Sequence, residues 1–365
     1  TGHSNVAVGT YALDACTIGH SNTAVGYLSL SADVDGIRNV AVGFHAGQSQ
    51  NDADDNVWVG YQCGLTNTTG TGNTGIGKDA LRANTTAGLN TAVGSDALTL
   101  NTTGQQNTVV GALAMDANTT ASNCTAVGMS ALGQNTTGSH NTALGHNSMA
   151  INTTGTQNVA LGMQTLFHNN ASNNVAVGHY ALESNTSGVD NTGVGKSALD
   201  NNTTGNYNSA VGKDSLKANT TGQQNVAFGV SSMITNTTGD FNTAIGTNAL
   251  YSNSTGDENT AVGRAALFNN TTNYNTAVGD LAMYSTTSGT NNVAVGNNAL
   301  SANTTGEQNV AVGAQALDAN TTASYNTAIG QEALTANTTG ASNTAVGRNT
   351  LGANTTGTQN VAVGS

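Results

Sequence analysis

An asparagine recurs along this chain on a nearly constant step, and no other feature restricts the possible folds as much. It stands at positions 5, 22, 39, 56, 73, 90 and 107, and the column continues to Asn360 with Cys124 as its one exception. Of the 21 intervals between the 22 starts, 19 are 17 residues and two are 16. The unit reads N-[TV]-A-V-G-x-x-A-L-x-x-N-T-T-G-x-x, and its positions are numbered here as columns 1 to 17. Such a unit, with glycine inside it, cannot hold a helix pair, because helical repeats need about 33 residues or more and leucine-rich repeats about 20. Stacked coils remain, each contacting only its neighbours. The expectation is an all-β parallel β-solenoid of about 21 coils of 17 residues, continuous over 1–365. At about 4.8 Å per coil it would make a rod roughly 100 Å long.

The columns assign roles. Column 1, as in Asn22, is expected to sit at a corner, tolerate left-handed backbone and bond to its own copy in the next coil. Column 2 holds only Thr, Val and Ser209; column 3 is Ala in 18 of 22 repeats, with Gly75, Gly193, Trp58 and Val109 as departures. Column 4, as in Val25, is always large and apolar, and column 5 is Gly throughout, as in Gly26 and Gly94. An unvaried glycine predicts positive φ or a backbone approach too close for a Cβ. Columns 2–4 therefore predict a short strand ended by a glycine corner. Period-two geometry puts columns 2 and 4 on one face and column 3 on the other. Columns 8 and 9, ending in Leu98 and its equivalents, predict a second short strand. The N-T-T-G run, as at Asn101, predicts a long exposed corner. Two repeats, starting at Asn158 and Asn259, are one residue short there. Each carries a Phe after its Leu, Phe167 and Phe268, expected to cover the gap.

Composition narrows the function classes. Net charge is −12, with 8 basic residues scattered along the chain. A phosphate backbone needs a basic patch, so nucleic acid is not expected as a partner. No apolar run of about 18 residues is present, so no membrane-inserted helix is expected. Aromatics make up 4% and charged residues 8%, too little mass for a thick core. One coil buries two or three side chains worth about 1.5–3 kcal/mol each, against about 1–2 kcal/mol of backbone entropy per ordered residue. The deficit, and a sheet apolar on both faces, predict partner chains, with a three-fold homo-oligomer as the natural closure.

The N-x-A-V-G-x-x-A-L unit resembles the repeat of YadA-like head domains in trimeric autotransporter adhesins. The full 17-residue unit also resembles repeats of bacterial and phage tail fibres. The first resemblance implies a left-handed parallel β-roll assembled as a trimer, and both imply an extracellular, cell-surface or virion location. Since each end of the sequence falls within a repeat, the segment is expected to belong to a longer chain.

Little points to chemistry. The seven His form no HxH or HExxH pair, no nucleophile elbow occurs, and Cys16, Cys63 and Cys124 occupy three different columns. No catalytic residues and no cofactor are expected. The acidic loop with Asp52, Asp54 and Asp55 is the one calcium candidate. The least regular stretch is 27–65, which includes Gly47 and Gly64 in the Leu column. It also holds Trp58, the only Trp, in the Ala column. Trp58 must displace something: it either disturbs packing or contacts a partner. The expected function is a structural, adhesive fibre that binds an unidentified surface target by multivalent contact. An ice-binding solenoid displaying Thr rows and a head-to-tail extracellular filament are the alternatives.

Overall fold

The structure, a computed structural model, describes residues 2–365. It comprises two compact units, Thr1–Thr186 and Ser187–Ser365. Every regular element is a three-residue β-strand. The first unit holds eleven, from β1 (Val6–Val8) to β11 (Val175–Val177); the second holds eleven, from β12 (Thr192–Val194) to β22 (Val361–Val363). Within each unit consecutive strands pair in parallel and in register, so that Thr91 lies on Thr108, Ala92 on Val109 and Val93 on Val110. Each unit is thus a parallel β-solenoid, as the period predicts. The register survives both short repeats, with Val159 on Val175 and Thr260 on Thr276.

The strands are columns 2–4. Their central residue points inward: Ala24, Ala92 and Ala294 are fully buried. The bulkier columns 2 and 4 point outward and are half-buried or exposed, as in Thr23 and Val25 of β2 (Thr23–Val25). The small side chain faces inward because the coil is thin; a Val at every column 3 would overfill it. Column 5 turns the corner with φ of 138° at Gly26 and 142° at Gly94. A Cβ on Gly94 would lie 2.5 Å from the carbonyl oxygen of Gly111 in the next coil. Both conditions that demand glycine are therefore met at once.

The second strand expected at columns 8 and 9 does not form. Columns 6–11 run as consecutive turns, and columns 7 and 9 have left-handed backbone, with φ of 58° at Asp96 and 53° at Leu98. The alternation sends successive N–H groups to opposite neighbours. Asp96 donates back to the carbonyl of Lys78 at 2.8 Å and Leu98 forward to that of Ala114 at 3.0 Å. These bonds join each coil to both neighbours without extended geometry. Leucine in this conformation carries about 1–3 kcal/mol of strain, and burial offsets it: Leu98 and Ala97 are wholly inaccessible.

The N-T-T-G corner also departs from expectation. Its Thr residues reach solvent, but its Asn does not: Asn67, Asn84, Asn101, Asn118 and Asn135 are fully buried. Left-handed backbone falls on column 17, as at Ser21 and Arg38, rather than on the column 1 Asn. The two 16-residue coils lose their residue inside the corner, as the alignment predicts. Asn169 Nδ2 reaches the carbonyl of Ala171, two residues on, at 2.8 Å, where Asn152 reaches Gly155, three residues on, at 3.0 Å. The Phe rings do not fill that shortened corner. Phe167 sits edge-on to His168 at 4.8 Å, and Phe268 stacks between Tyr251 and Tyr284 at 4.8 and 5.1 Å.

Candidate binding surface and buried ladders

Two asparagine ladders run inside the coils. In column 1, Asn22 accepts the backbone N–H of Asn39 at 2.8 Å, and its own N–H donates to Asn5 Oδ1 at 2.9 Å. In column 12, Asn101 Nδ2 donates to Asn84 Oδ1 at 2.9 Å and to the carbonyl of Gly104 at 3.0 Å. The same Gly104 carbonyl accepts from Asn90 Nδ2 at 2.9 Å. One column 15 carbonyl, of Gly here and of Ala87 or Ala121 in other coils, therefore ties both ladders together. Of the positions expected to be structural, Asn22, Leu98 and Asn101 are buried, Gly26 and Gly94 turn the corner with positive φ, and Val25 lies half-buried on the outer sheet face. Buried amides with both functions satisfied bind neighbouring coils strongly, because an orphaned partner would cost about 1–3 kcal/mol. The column 12 Asn heads an N-x-Thr acceptor pattern, but its burial keeps it from glycan transfer in the folded protein.

The ladders have defects. Asp33 occupies column 12, fully buried, accepting the N–H of Gly36 at 3.2 Å through Oδ1 while Oδ2 has no partner. Burial, reinforced by Asp35 and Asp54, pushes its carboxyl up to about 6. Cys124 replaces a column 1 Asn and offers the Gly138 carbonyl only a thiol contact at 3.4 Å. The three cysteines are free, and burial pushes the Cys63 thiol up to about 12.

Trp58, central in β4 (Val57–Val59), is fully buried. Of the two readings, disturbed packing and partner contact, burial supports the first, since no part of the ring reaches a surface. Its room comes from Gly47 and Gly64 at the Leu column, where φ is 60° and 62°. A Cβ on Gly47 would lie 2.6 Å from Trp58 Cδ1, and one on Gly64 would collide with Cδ2. Gly75 completes the space, its hypothetical Cβ falling 2.9 Å from Trp58 Cε3. The irregularity of 27–65 is thus one substitution spread over several coils.

The acidic loop does not assemble a calcium site. Asp55 is held in a two-point pair with Arg38 at 2.6 and 2.9 Å, which lowers its pKa. Asp54 Oδ1 accepts the N–H of Ile37 at 2.9 Å. Among the described residues, including Asp52, no three His, Cys, Asp or Glu side chains converge as a metal-binding group. No described helix is long and apolar enough to cross a membrane.

Two outward surfaces remain. The first is the sheet face of columns 2 and 4, where Val295, Val312 and Ile329 in adjacent coils are 38%, 36% and 41% exposed. The second is a groove between columns 6–7 and columns 10–11, which the sequence does not announce. Within the first unit it opens into cavities beside Tyr11 and Tyr27 and beside Leu113 and Phe167; a further cavity, beside Arg82 and Leu100, is lined by columns 10 and 11 alone. Within the second it forms a cavity of about 570 Å³ between Arg264, Phe268 and Tyr284 on four consecutive coils. Of its lining, Phe268 and Tyr284 are aromatic, and their stack with Tyr251 is visible in the sequence only once the coils are stacked, because the three share column 10 but lie 16 or 17 residues apart. No protein family model matches the chain, and no curated protein matches it.

Proposed function

We propose that this chain is a non-catalytic segment of an extracellular or virion-borne attachment fibre, assembled as a homotrimer with the sheet faces inward. The exposed aliphatic run of column 4 carries this reading. Monomeric soluble proteins rarely expose large continuous apolar patches, and here each coil adds another Val, Ile or Leu to the stripe, or a Phe at position 228. Three copies related by a three-fold axis would bury the same stripe at each interface. The resemblance of the repeat to YadA-like heads and to tail fibres supports the same assembly. Stiffness from in-register ladders would let one fibre present the same weak contact many times, and avidity can multiply single-site affinity by about 10²–10⁴.

The ice-binding reading has less support. Column 13 hydroxyls are spent inside the solenoid, with Thr102, Thr136 and Thr220 Oγ1 each donating at 3.0 Å to the carbonyl 17 residues on. Only column 14 leaves a Thr row fully open, as at Thr103 and Thr137.

Sedimentation equilibrium on the purified chain tests the proposal. A mass three times the 36.3 kDa chain, with retention on a target surface that weakens when the trimer dissociates, is the expected result. A monomer at all concentrations overturns it. An open-ended mass series favours the filament, and thermal hysteresis favours ice binding.

A further inference from the structure

We propose that the groove over columns 6–11, where it passes between Phe268, Tyr284 and Asn298, binds a neutral glycan chain lying along the coils. This deepens the attachment reading and rests on it for its biological meaning, but the binding itself stands on separate observations.

The first is the wall. Tyr251, Phe268 and Tyr284 stack at 4.8 and 5.1 Å with planes 7° and 18° apart. Rings that close and that parallel cannot lie side by side in one plane, so they overlap partly and leave part of each face uncovered. Tyr284 is 36% exposed and is the most open of the three. The C–H face of a sugar ring suits such a surface, being apolar and of similar width.

The second is the rim. Opposite the rings stand Asn248 and Asn298, with Ser285 and Ser301 beside them. Amides and hydroxyls both donate and accept, as a ligand built of hydroxyls requires. Arg264 is the only charged lining residue, and it is neutralised by Asp280 at 2.9 and 3.0 Å. A groove without net charge, on a chain of charge −12, favours neither phosphate nor sulfate.

The third is what the groove withholds. An extended peptide binds by adding a strand to an open sheet edge. Here three N–H groups of the lining are already used: Leu281 and Asn298 donate to the carbonyls of Arg264 and Asp280 at 3.0 Å, and Ser285 to that of Ser301 at 2.9 Å. A cavity on the same columns occurs within the first unit, beside Tyr27, Ser31 and Gln48, where Asp14 joins the lining.

Saturation-transfer NMR on the full chain, with neutral hexasaccharides of β-1,4-glucose, β-1,4-N-acetylglucosamine, α-1,4-glucose and α-1,6-mannose as probes, tests this. Transfer to the ring C–H protons of at least one is expected. Tyr284→Ser should weaken that binding about tenfold, equivalent to about 1.4 kcal/mol. Asn298→Gly, which keeps the left-handed φ of 52° without strain, should weaken it severalfold while leaving the melting temperature unchanged. No transfer to any of the four, transfer that both variants leave intact, or stronger transfer to an extended peptide overturns the proposal. Both variants should keep the oligomeric mass. Glycan binding by a monomer would therefore sink the fibre and spare the groove, and a trimer that binds none of the four would do the reverse.

Discussion

Trp58 donates its indole N–H to Oε1 of Gln50 at 2.9 Å, with both residues fully buried. Gln50 stands in column 12, where the regular coils carry a ladder Asn, and its longer side chain also accepts from Asn56 Nδ2 at 3.2 Å. The Trp and Gln therefore replace an Ala and an Asn together, with Gly47 and Gly64 clearing two leucines. Trp58→Ala should cost about 3–5 kcal/mol, since the cavity is too well framed to collapse. Gly64→Leu alone should also destabilise, by overpacking. The triple variant Trp58→Ala, Gly47→Leu, Gly64→Leu should recover most of the loss. Additive losses in denaturant unfolding would show that these residues are not one packing unit.

The period and the column 5 glycine are legible because they answer to backbone demands that side chains cannot disguise. A φ near 140° against the next coil's carbonyl admits only Gly. Columns 8 and 9 mislead for the opposite reason. Leu98 adopts a left-handed backbone although leucine disfavours it, so an A-L pair reads as strand, and only the stacked coils compensate. Asn101 misleads because N-T-T-G is good turn chemistry, and its Asn recurs no more strictly than the Thr that follows it. The groove is built from columns with no consensus, and its rings meet only after folding.

The column 12 ladder predicts an asymmetry within one turn. Asn101→Ala removes the donor to Asn84 Oδ1 and the acceptor for Asn118 Nδ2, held at 2.9 and 2.8 Å. Leaving such groups unpaired in the interior should cost at least about 2 kcal/mol. Thr103→Ala, two residues away and exposed, should change stability by no more than about 0.5 kcal/mol. Equal effects in thermal or denaturant unfolding would remove the ladder as a principal source of cohesion.

Asp33 predicts a pH dependence opposite to that of an ordinary surface carboxylate. Its folded pKa is raised to about 6, above an unfolded value near 3.9. Between those values the folded state binds more protons than the unfolded state, so stability falls as pH rises through this window and is regained on acidification. The difference should be on the order of 2 kcal/mol. Asp33→Asn supplies an Nδ2 for the Gly36 carbonyl, as Asn67 does for Gly70 at 3.0 Å. The variant should be more stable at neutral pH, and its stability between pH about 4 and 6 should lose this slope. An unchanged slope would place the titration elsewhere.

The outer sheet face separates folding from assembly. Val295 is the column 4 residue of β18 (Val293–Val295), 38% exposed, between Val278 and Val312 in register. A lysine there would extend into solvent in an isolated chain, so Val295→Lys should shift the unfolding midpoint of a monomer little. In a trimer with this face inward, the same change would place three ammonium groups near the three-fold axis without partners, and burying an unpaired charge costs several kcal/mol. Sedimentation should therefore find the variant folded but dissociated, while Thr103→Lys, on the exposed corner, keeps the trimer. If Val295→Lys retains three-fold mass, the apolar stripe is not the interface, and the bundle must be held by another face.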